Sequence, residues 1–431
     1  MKITMNDRNM RSTARKISLC RSFFAALLFI LSAGLQAQTK NLDDYLDAAL
    51  QNSPLLKDYQ NQIVINQIDS LIHQATYRPQ VDFATTNQYA PNVKGWGYDK
   101  EIIYNGEFNA LLTVRQTILG KENKKTQLQS YRLENQALQN TEKISEQDLK
   151  LAVATQYITA YGVLKEILFN EEITNLLDKE NVFLKKLTES TVYKQTDYLN
   201  FQVALQQQQL LVSQQKAEYK NNIALLNYVC GIVDTTAVEL TNPDIQLLPS
   251  PGFENTLQYE QFRIDSLKIK NSDELIDYAY HPQLDVFADA GFNSSLTYQA
   301  YKNFGASVGL SLTVPIYDGG QRQKQHNKTK IIEQNRENYL DFSRQQYRQQ
   351  LNQLYQQLDQ TEQLINQAQG VIQSTRTLMD AYGKQMQTGD ASITDYILSI
   401  NNYLNAKHVI TQQTTNKIQI INQINYWNYE K

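Results

Sequence analysis

Ser311-Leu312-Thr313-Val314-Pro315-Ile316-Tyr317-Asp318-Gly319-Gly320 is the stretch that decides the fold, because a strand pattern changes into a helix pattern within it. From Phe304 to Val314, apolar residues alternate with small or polar ones, which is the period of a strand with one apolar face. From Gly319 to about Thr388 there is no Pro and almost no Gly. At 1.5 Å per residue, a helix of roughly 70 residues would be about 100 Å long. The stretch therefore predicts a strand that leads directly into a very long helix.

The same arrangement occurs a second time, earlier in the chain. Thr113-Val114-Arg115-Gln116-Thr117-Ile118-Leu119-Gly120 echoes the decisive stretch and also precedes a long segment without Pro. Thr196-Asp197-Tyr198-Leu199 matches Thr394-Asp395-Tyr396-Ile397, and Tyr77-Arg78-Pro79-Gln80-Val81-Asp82-Phe83 matches Tyr280-His281-Pro282-Gln283-Leu284-Asp285-Val286. A repeat of about 200 residues indicates a duplicated domain rather than a solenoid.

The duplication suggests a division of the chain. Residues 1–37 are the predicted signal peptide, 38–232 the first repeat, 233–253 a Pro-containing linker and 254–431 the second repeat. In the first repeat we expect a strand pair at about 81–118, a long helix at about 120–189 and a return helix at about 197–229. In the second repeat the corresponding elements are expected at about 284–316, 319–388 and 394–427.

The first 37 residues have the pattern of an export signal. A basic stretch precedes the apolar run at 23–31, and Leu35-Gln36-Ala37 offers a small-residue cleavage site. An uncleaved anchor is the alternative, but the run is far shorter than the ~20 residues of a bilayer span. Cys20 lies before the apolar run, so it cannot be the acylated first residue of a lipoprotein. We expect a cleaved signal peptide and an exported chain that is not a lipoprotein.

Composition and charge exclude several classes of protein. Six of the 41 basic residues and one of the 44 acidic residues lie in 1–37, so the mature chain has a net charge of −8, which argues against nucleic-acid binding. A mean hydropathy of −0.52 excludes a polytopic helical membrane protein. No catalytic triad, phosphate loop or carboxylate dyad stands out, so we expect no enzyme and no cofactor. Four histidines at no metal-ligand spacing predict no metal site: His73, His281, His326 and His408.

Each predicted strand has about ten residues, which is the length needed to cross a bilayer at a tilt. A half-buried strand in a soluble sandwich would show the same alternation. The loop aromatics favour the membrane interpretation, as in an interfacial girdle: Trp96, Tyr98, Tyr298 and Tyr301. Four strands cannot close a barrel, because the smallest transmembrane barrels need about eight. Closure requires several chains, most simply three, which would give twelve strands.

The second long helix carries a heptad pattern, which predicts a left-handed coiled coil. The apolar seam is Tyr347, Leu351, Leu354, Leu358, Thr361, Ile365, Ala368, Ile372, Thr375, Met379, Tyr382 and Met386. The opposite face is uncharged but polar: Gln349, Gln353, Gln356, Gln360, Gln363 and Gln367. The chain contains 51 Gln in all, and such a face either lines water or meets solvent.

At this point the chain resembles the TolC family of outer-membrane export ducts. The resemblance rests on Leu42-Asp43-Asp44-Tyr45-Leu46-Asp47-Ala48-Ala49-Leu50-Gln51-Asn52-Ser53-Pro54, on the corner at 314–320 and on the tip at 388–397. The first half departs from the pattern, since Gln116-Thr117-Ile118-Leu119-Gly120-Lys121 lacks the Pro and the Asp-Gly-Gly. Thr191 also stands where the second half has Gly389, so we expect the first tip turn to be built differently.

The resemblance implies a mixed α and β fold in a homotrimer: a twelve-stranded β-barrel in the outer-membrane lipid, continued by a periplasmic α-helical barrel. It implies a passive exit duct of a tripartite efflux or type I secretion system. The partners would be a periplasmic adaptor (membrane fusion) protein and an inner-membrane pump. The sequence does not identify the exported substrate.

The tips are the predicted functional site. The repeat places Asp197 and Tyr198 at positions equivalent to Asp395 and Tyr396, where a trimer would gather six carboxylates into a cation-sensitive gate. Local capping is the alternative, with Ser392 as N-cap and Asp395 at N3, and with the tyrosines in ordinary coiled-coil packing. The two interpretations are not exclusive. The expected adaptor-docking residues are Lys194, Gln195, Gly389, Asp390 and Ala391.

Two non-enzyme alternatives remain open from the residues alone. A periplasmic adaptor also has long hairpin coiled coils, but normally one hairpin with small β-domains. A coiled-coil structural protein of the envelope would have no use for four membrane-length strands. The duplication and the strands favour the channel over both.

Overall fold

The computed structural model of the protein describes residues 39–429, except 100, 102, 104, 119, 235, 237 and 296–299. The predicted signal peptide and Tyr298 lie outside the described residues. The helices are α1 (Leu42–Asn52), α2 (Pro54–Ala75), α3 (Lys121–Glu189), α4 (Gln195–Val229), α5 (Leu257–Ala279), α6 (Gln321–Thr388) and α7 (Ile393–Trp427). The strands are β1 (Thr39–Lys40), β2 (Gln80–Tyr89), β3 (Gly106–Ile118), β4 (Glu239–Leu240), β5 (Gln283–Ser295) and β6 (Phe304–Thr313). The expected mixed α and β fold is confirmed. Among the described helices, none combines the length and the apolar character that crossing a membrane requires.

The chain forms two compact units, and each takes segments from both halves of the sequence. The first unit contains the described residues up to Ala49 together with Val153–Asp244 and Ile365–Thr415. The second contains Leu50–Ala152, Ile245–Leu364 and the chain from Asn416. The units therefore do not coincide with the repeats, whose boundaries at 38–232 and 254–431 stay a prediction.

The second unit contains a four-stranded antiparallel sheet in the order β2-β3-β5-β6. Its register pairs Leu112 with both Phe83 and Ala290, and thereby places side chains of matching character on one face. The apolar face carries Val81, Phe83, Phe108, Leu112, Val114, Ile118, Leu284, Val286, Phe292, Phe304, Val308, Leu310 and Leu312. The polar face carries Asp82, Thr86, Glu107, Asn109, Thr113, Arg115, Thr117, Asp285, Asp289, Asn293, Ser307 and Ser311, with the apolar Leu111 and Phe287 among them.

The helices of the second unit lie side by side in an order that matches the strands. Helix α2 contacts α3, because the Asn66 amide donates to the Tyr131 carbonyl at 2.8 Å. Helix α3 contacts α5, where the Asn140 amide donates to the Leu257 carbonyl at 3.0 Å. Helix α5 contacts α6, where the Ser266 hydroxyl donates to a Glu333 carboxylate oxygen. The row is thus α2-α3-α5-α6, and its outer members are α2 and α6.

The predicted heptad seam is the buried stripe of α6. Tyr347, Leu351 and Leu354 are buried in the second unit, where they pack with Ile420 and Ile424 of α7. The six Gln residues that the sequence places on the opposite face are all exposed. Because the apolar seam is covered within one chain, it supports the chain's own core, as a coiled-coil pattern predicts.

The two strand-to-helix corners share one kind of contact, a basic side chain over a tyrosine ring. The Lys124 ammonium lies 5.1 Å from the centre of the Tyr77 ring, and the Arg322 guanidinium lies 6.0 Å from the centre of the Tyr280 ring. The second corner is also capped, since the Asp318 carboxylate accepts from the Arg322 backbone N–H at 2.7 Å. This hydrogen bond, together with one that the Gly320 backbone N–H donates to the same carboxylate, holds the pKa of the Asp318 carboxyl below its usual range.

Candidate functional site

The two helical tips lie in the first unit and have the same turn. Helix α3 ends in a turn in which the Val192 N–H donates to the Leu187 carbonyl at 2.9 Å. Helix α6 ends in the equivalent bond from the Asp390 N–H to the Gln385 carbonyl, also 2.9 Å. Both are Schellman turns, which require a left-handed residue just beyond the helix.

Thr191 and Gly389 occupy that left-handed position, with φ of +64° and +83°. The expectation that the first tip turn is built differently is therefore wrong. The hydrogen bonds that satisfy the last helix carbonyls fix the turn, and Thr191 adopts it although a β-branched residue is strained there. Only glycine reaches this conformation without a steric penalty.

The returning helices begin differently at the two tips. At the second tip the Ser392 hydroxyl accepts from the Asp395 backbone N–H at 3.2 Å, which confirms Ser392 as N-cap and Asp395 at N3. At the first tip Lys194 is the N-cap and its side chain makes no capping bond. Asp197 occupies the equivalent N3 position, where its N–H donates to the Lys194 carbonyl at 3.1 Å. Both carboxylates thus lie in a first helical turn, where the helix dipole favours negative charge.

The two predicted tyrosines are part of the tip core. Tyr198 is 8% exposed and Tyr396 is 2% exposed. They pack with Phe201, Met386 and Ile393 in a hydrophobic cluster that joins all four helices of the tips. Burial raises the pKa of the Tyr396 hydroxyl well above its usual range. Within one chain, the two tyrosine rings pack in the core of the tips, which is the role that the sequence analysis considered as the alternative to a gate.

The two tips are tied together by Tyr193, which the sequence analysis did not single out. Its hydroxyl lies 2.8 Å from the Met386 carbonyl and 2.9 Å from the Ala391 carbonyl, and donates to them. The turns also touch, because a Cβ added to Gly389 would lie 3.0 Å from a Val192 methyl group. No pattern in the sequence marks this residue, since the contact joins segments nearly 200 residues apart.

The expected docking residues differ in accessibility. Lys194, Gln195, Gly389 and Asp390 are exposed, whereas Ala391 is buried at 8%. The Asp390 carboxylate accepts from the Thr388 hydroxyl at 2.6 Å. A partner at the tips would therefore meet the first four residues, and Ala391 would act only through the shape of the turn.

One further carboxyl lies near the tip core. Among the described residues, the Oε2 atom of Glu180 is buried without a hydrogen-bond partner. Burial raises the pKa of this carboxyl. Glu180 also raises the pKa of Tyr396 through its charge, which places the two groups close together. No pattern in the sequence singles out Glu180, because it is one of many charged residues on the long helix α3.

The histidines lie in separate surroundings. The two ring nitrogens of His326 lie 2.8 Å from an Asp273 oxygen and 2.9 Å from an Asp277 oxygen, which links α6 to α5. The His408 ring pairs with Glu166 at 2.9 Å in the first unit. In the part of the chain that the structure describes, no group of three His, Cys, Asp or Glu side chains is arranged to hold a metal ion.

The fold of the chain is that of the TolC family of outer-membrane channels. Solved structures that match include the outer membrane protein VceC from Vibrio cholerae, at 12% identity and a TM-score of 0.69, covering 90% of this chain and 96% of that one. The CmeC outer membrane channel of Campylobacter jejuni matches at 14% identity and a TM-score of 0.69, covering 90% and 86%. The MtrE outer membrane channel of Neisseria gonorrhoeae, solved in its open state, matches at 11% identity and a TM-score of 0.70, covering 90% and 88%. No family model and no curated protein matches the sequence. CmeC and MtrE are outer-membrane channels and not enzymes.

Proposed function

We propose that the chain is one protomer of a homotrimeric outer-membrane channel, the passive exit duct of an efflux or type I secretion system. Its sheet would contribute four of twelve barrel strands, and its helices would form a periplasmic tunnel. After cleavage of the signal peptide, the sheet would lie in outer-membrane lipid. The observation that carries the proposal is that the outer strands and the outer helices of the second unit leave surfaces that a second copy of the chain could cover.

The sheet has two open edges and an exposed apolar face. Among the described strands, β2 and β6 each have one neighbour in the sheet, so each leaves a row of backbone groups for a further strand. In lipid, unpaired backbone groups cost several kcal/mol each, which only closure with other chains removes. On the apolar face Phe83 is 69% exposed and Val308 is 81% exposed, as lipid-facing side chains would be.

The helix row supports the same closure. Its outer helices α2 and α6 both present large apolar side chains that are about half exposed or more. On α2 these are Val64, Ile65, Ile68, Leu71 and Ile72, and on α6 they are Ile331, Ile332, Tyr339 and Phe342. Contiguous exposed apolar surfaces mark interaction sites. Contact between α2 of one copy and α6 of the next would bury both surfaces and complete a ring.

The assembly test uses the full mature chain in detergent. A barrel trimer should migrate differently before and after boiling and should form channels in planar bilayers. Ile68→Lys, which places a charge in the α2 surface, should abolish the trimer, whereas Ile68→Leu should keep it. A chain that is soluble without detergent, stays monomeric and forms no channels would contradict the proposal and favour a periplasmic adaptor.

The tips would be the gate and the adaptor-docking end of this channel. In a trimer, Asp197 and Asp395 would bring six carboxylates to the entrance, beside the buried Tyr198 and Tyr396. The exposed Lys194, Gln195, Gly389 and Asp390, with the turn that Ala391 shapes, would meet the periplasmic adaptor that links the duct to an inner-membrane pump.

Capping and gating can be separated at the second tip. Ser392→Ala removes the capping hydroxyl and keeps the charge, whereas Asp395→Asn removes the charge and keeps the N3 position polar. If the carboxylates gate, Asp197→Asn with Asp395→Asn should weaken block of the channel by divalent cations and Ser392→Ala should not. Equal block in all three proteins would remove the gate and leave only the cap.

A further inference from the structure

The polar face of the sheet carries one aromatic ring, that of Phe287. Among the described strands, every other aromatic side chain lies on the apolar face. Phe287 interrupts the alternation of β5, since Val286 and Ala288 already occupy the apolar side. Leu111 is the other large apolar side chain on this face, whose remaining residues are small or polar. A local inconsistency of this kind marks a functional or strained position.

The ring of Phe287 lies flat over Gly309 of the neighbouring strand. Phe287 and Gly309 are direct partners on β5 and β6. A Cβ added to Gly309 would lie 2.2 Å from Cζ of Phe287 and 2.7 and 2.8 Å from the two Cε atoms. Such similar distances to three ring atoms place one face of the ring over the glycine. The ring therefore lies along the sheet, with its other face on the polar side.

Arg115 is the direct partner of Phe287 on the other neighbouring strand, β3. Its side chain is exposed, and within the described residues it forms no ion pair. It is the only basic group on the polar face of the described strands. The acidic groups of that face are Asp82, Glu107, Asp285 and Asp289.

We infer that Arg115 and Phe287 form a contact site for aromatic anions on the polar face of the sheet. A guanidinium binds a carboxylate with paired hydrogen bonds, and a planar solute stacks on an aromatic face. Asp82, Asp285 and Asp289 lie in the rows directly next to Arg115 and repel anions there. On the polar face of the described strands, the guanidinium of Arg115 is therefore the only group that can hold a carboxylate against them. The inference rests on the proposed channel, in which this face encloses the lumen and each copy supplies one site.

The test measures block of single channels formed by the full chain, with 2-naphthoate as the aromatic anion and cyclohexanecarboxylate as the non-aromatic one. 2-Naphthoate should block the native channel. Arg115→Gln should raise the half-blocking concentration of both anions by about threefold or more, since it removes the ion pair. Phe287→Leu should raise it for 2-naphthoate by a similar factor and leave cyclohexanecarboxylate nearly unchanged, since only stacking is lost.

Matched variants keep the test decisive. Phe287→Tyr retains the ring, so block should stay within about twofold of native. Arg115→Lys keeps the charge but loses the paired hydrogen bonds, so its half-blocking concentrations should lie between those of the native channel and of Arg115→Gln. Asn109→Ser on the same face should have no effect. If Phe287→Leu does not assemble, as judged by migration before and after boiling, the two separate variants Arg115→Gln and Phe287→Tyr still test whether the site exists.

Each outcome has one meaning. The inference would be overturned, while the proposed channel stands, if 2-naphthoate did not block the native channel or if it blocked the Arg115→Gln and Phe287→Leu channels as strongly as the native one. A chain that forms no channel at all would overturn the proposed function itself.

Discussion

The exchange of Thr191 and Gly389 tests whether backbone strain differs between the two tips. A left-handed conformation costs an L-residue roughly 1–2 kcal/mol, whereas glycine adopts it freely. Thr191→Gly removes this strain but loses about 0.5–1 kcal/mol to the greater freedom of glycine in the open state. The midpoints of the two ranges leave an expected net gain of about 0.8 kcal/mol. Gly389→Thr should lose at least about 1 kcal/mol, because it adds strain and brings a Cβ to 3.0 Å from Val192.

Hydrogen exchange of the full-length protein measures these local free energies at the amides that close the turns. Thr191→Gly should slow exchange of the Val192 amide about two- to fivefold, and Gly389→Thr should speed exchange of the Asp390 amide about fivefold or more. Ile232 is the control, since its N–H closes a third turn of this kind by donating to the Asn227 carbonyl at 2.8 Å. Faster or unchanged exchange at Val192 in Thr191→Gly would refute the strain argument.

Three further variants test the tip tether and two titrating groups. Tyr193→Phe removes the hydroxyl that is bound to the second tip and should lower the local stability of the tips by about 1 kcal/mol. The amides of both turns should then exchange faster. Faster exchange in one turn alone would contradict a tether between the tips. The hydrogen bonds that the His326 ring donates to the carboxylates of Asp273 and Asp277 raise the pKa of the ring. The α5–α6 link should therefore be complete below about pH 6.5 and weaken as the pH rises through the pKa of the ring in the folded protein. His326→Gln should abolish that loss of exchange protection at the start of α6, and an identical pH profile in both proteins would exclude the link. Burial raises the pKa of the Glu180 carboxyl, so its ionisation destabilises the tip core as the pH rises. Glu180→Gln should therefore raise the melting temperature at pH 7 more than at pH 4, and an equal shift at both would contradict this sign.

Local patterns in the sequence predict the elements because each rests on a local physical cause. Alternation from Phe304 onward places a strand where β6 lies, and the absence of Pro predicts α6 with ends close to the observed Gln321 and Thr388. The heptad seam predicts which residues of α6 are buried, because the 3.5-residue period fixes one face of a helix. Secondary structure and burial could thus be derived before any contact was known.

Tertiary pairing is what the sequence did not predict. The pairing of β3 with β5, which joins the two halves into one sheet, has no signature in either strand. Tyr193 reads as one of 27 tyrosines, and its role depends on carbonyls that a distant segment brings near. The turn at Thr191 was predicted wrongly because residue type was taken to decide the conformation, whereas the helix-end hydrogen bonds decide it.

The two tips share the backbone of their turns but differ in their side chains. The second tip has glycine in the left-handed position and a serine that caps the returning helix. The first tip has a strained threonine and a lysine that makes no capping bond. Judged by the interactions within each turn, the first turn is therefore less stable than the second. Tyr193 belongs to this weaker turn and bonds the carbonyls of the stronger one. The stability of the first tip therefore depends on the second, and a movement that separates the tips would release the first turn before the second.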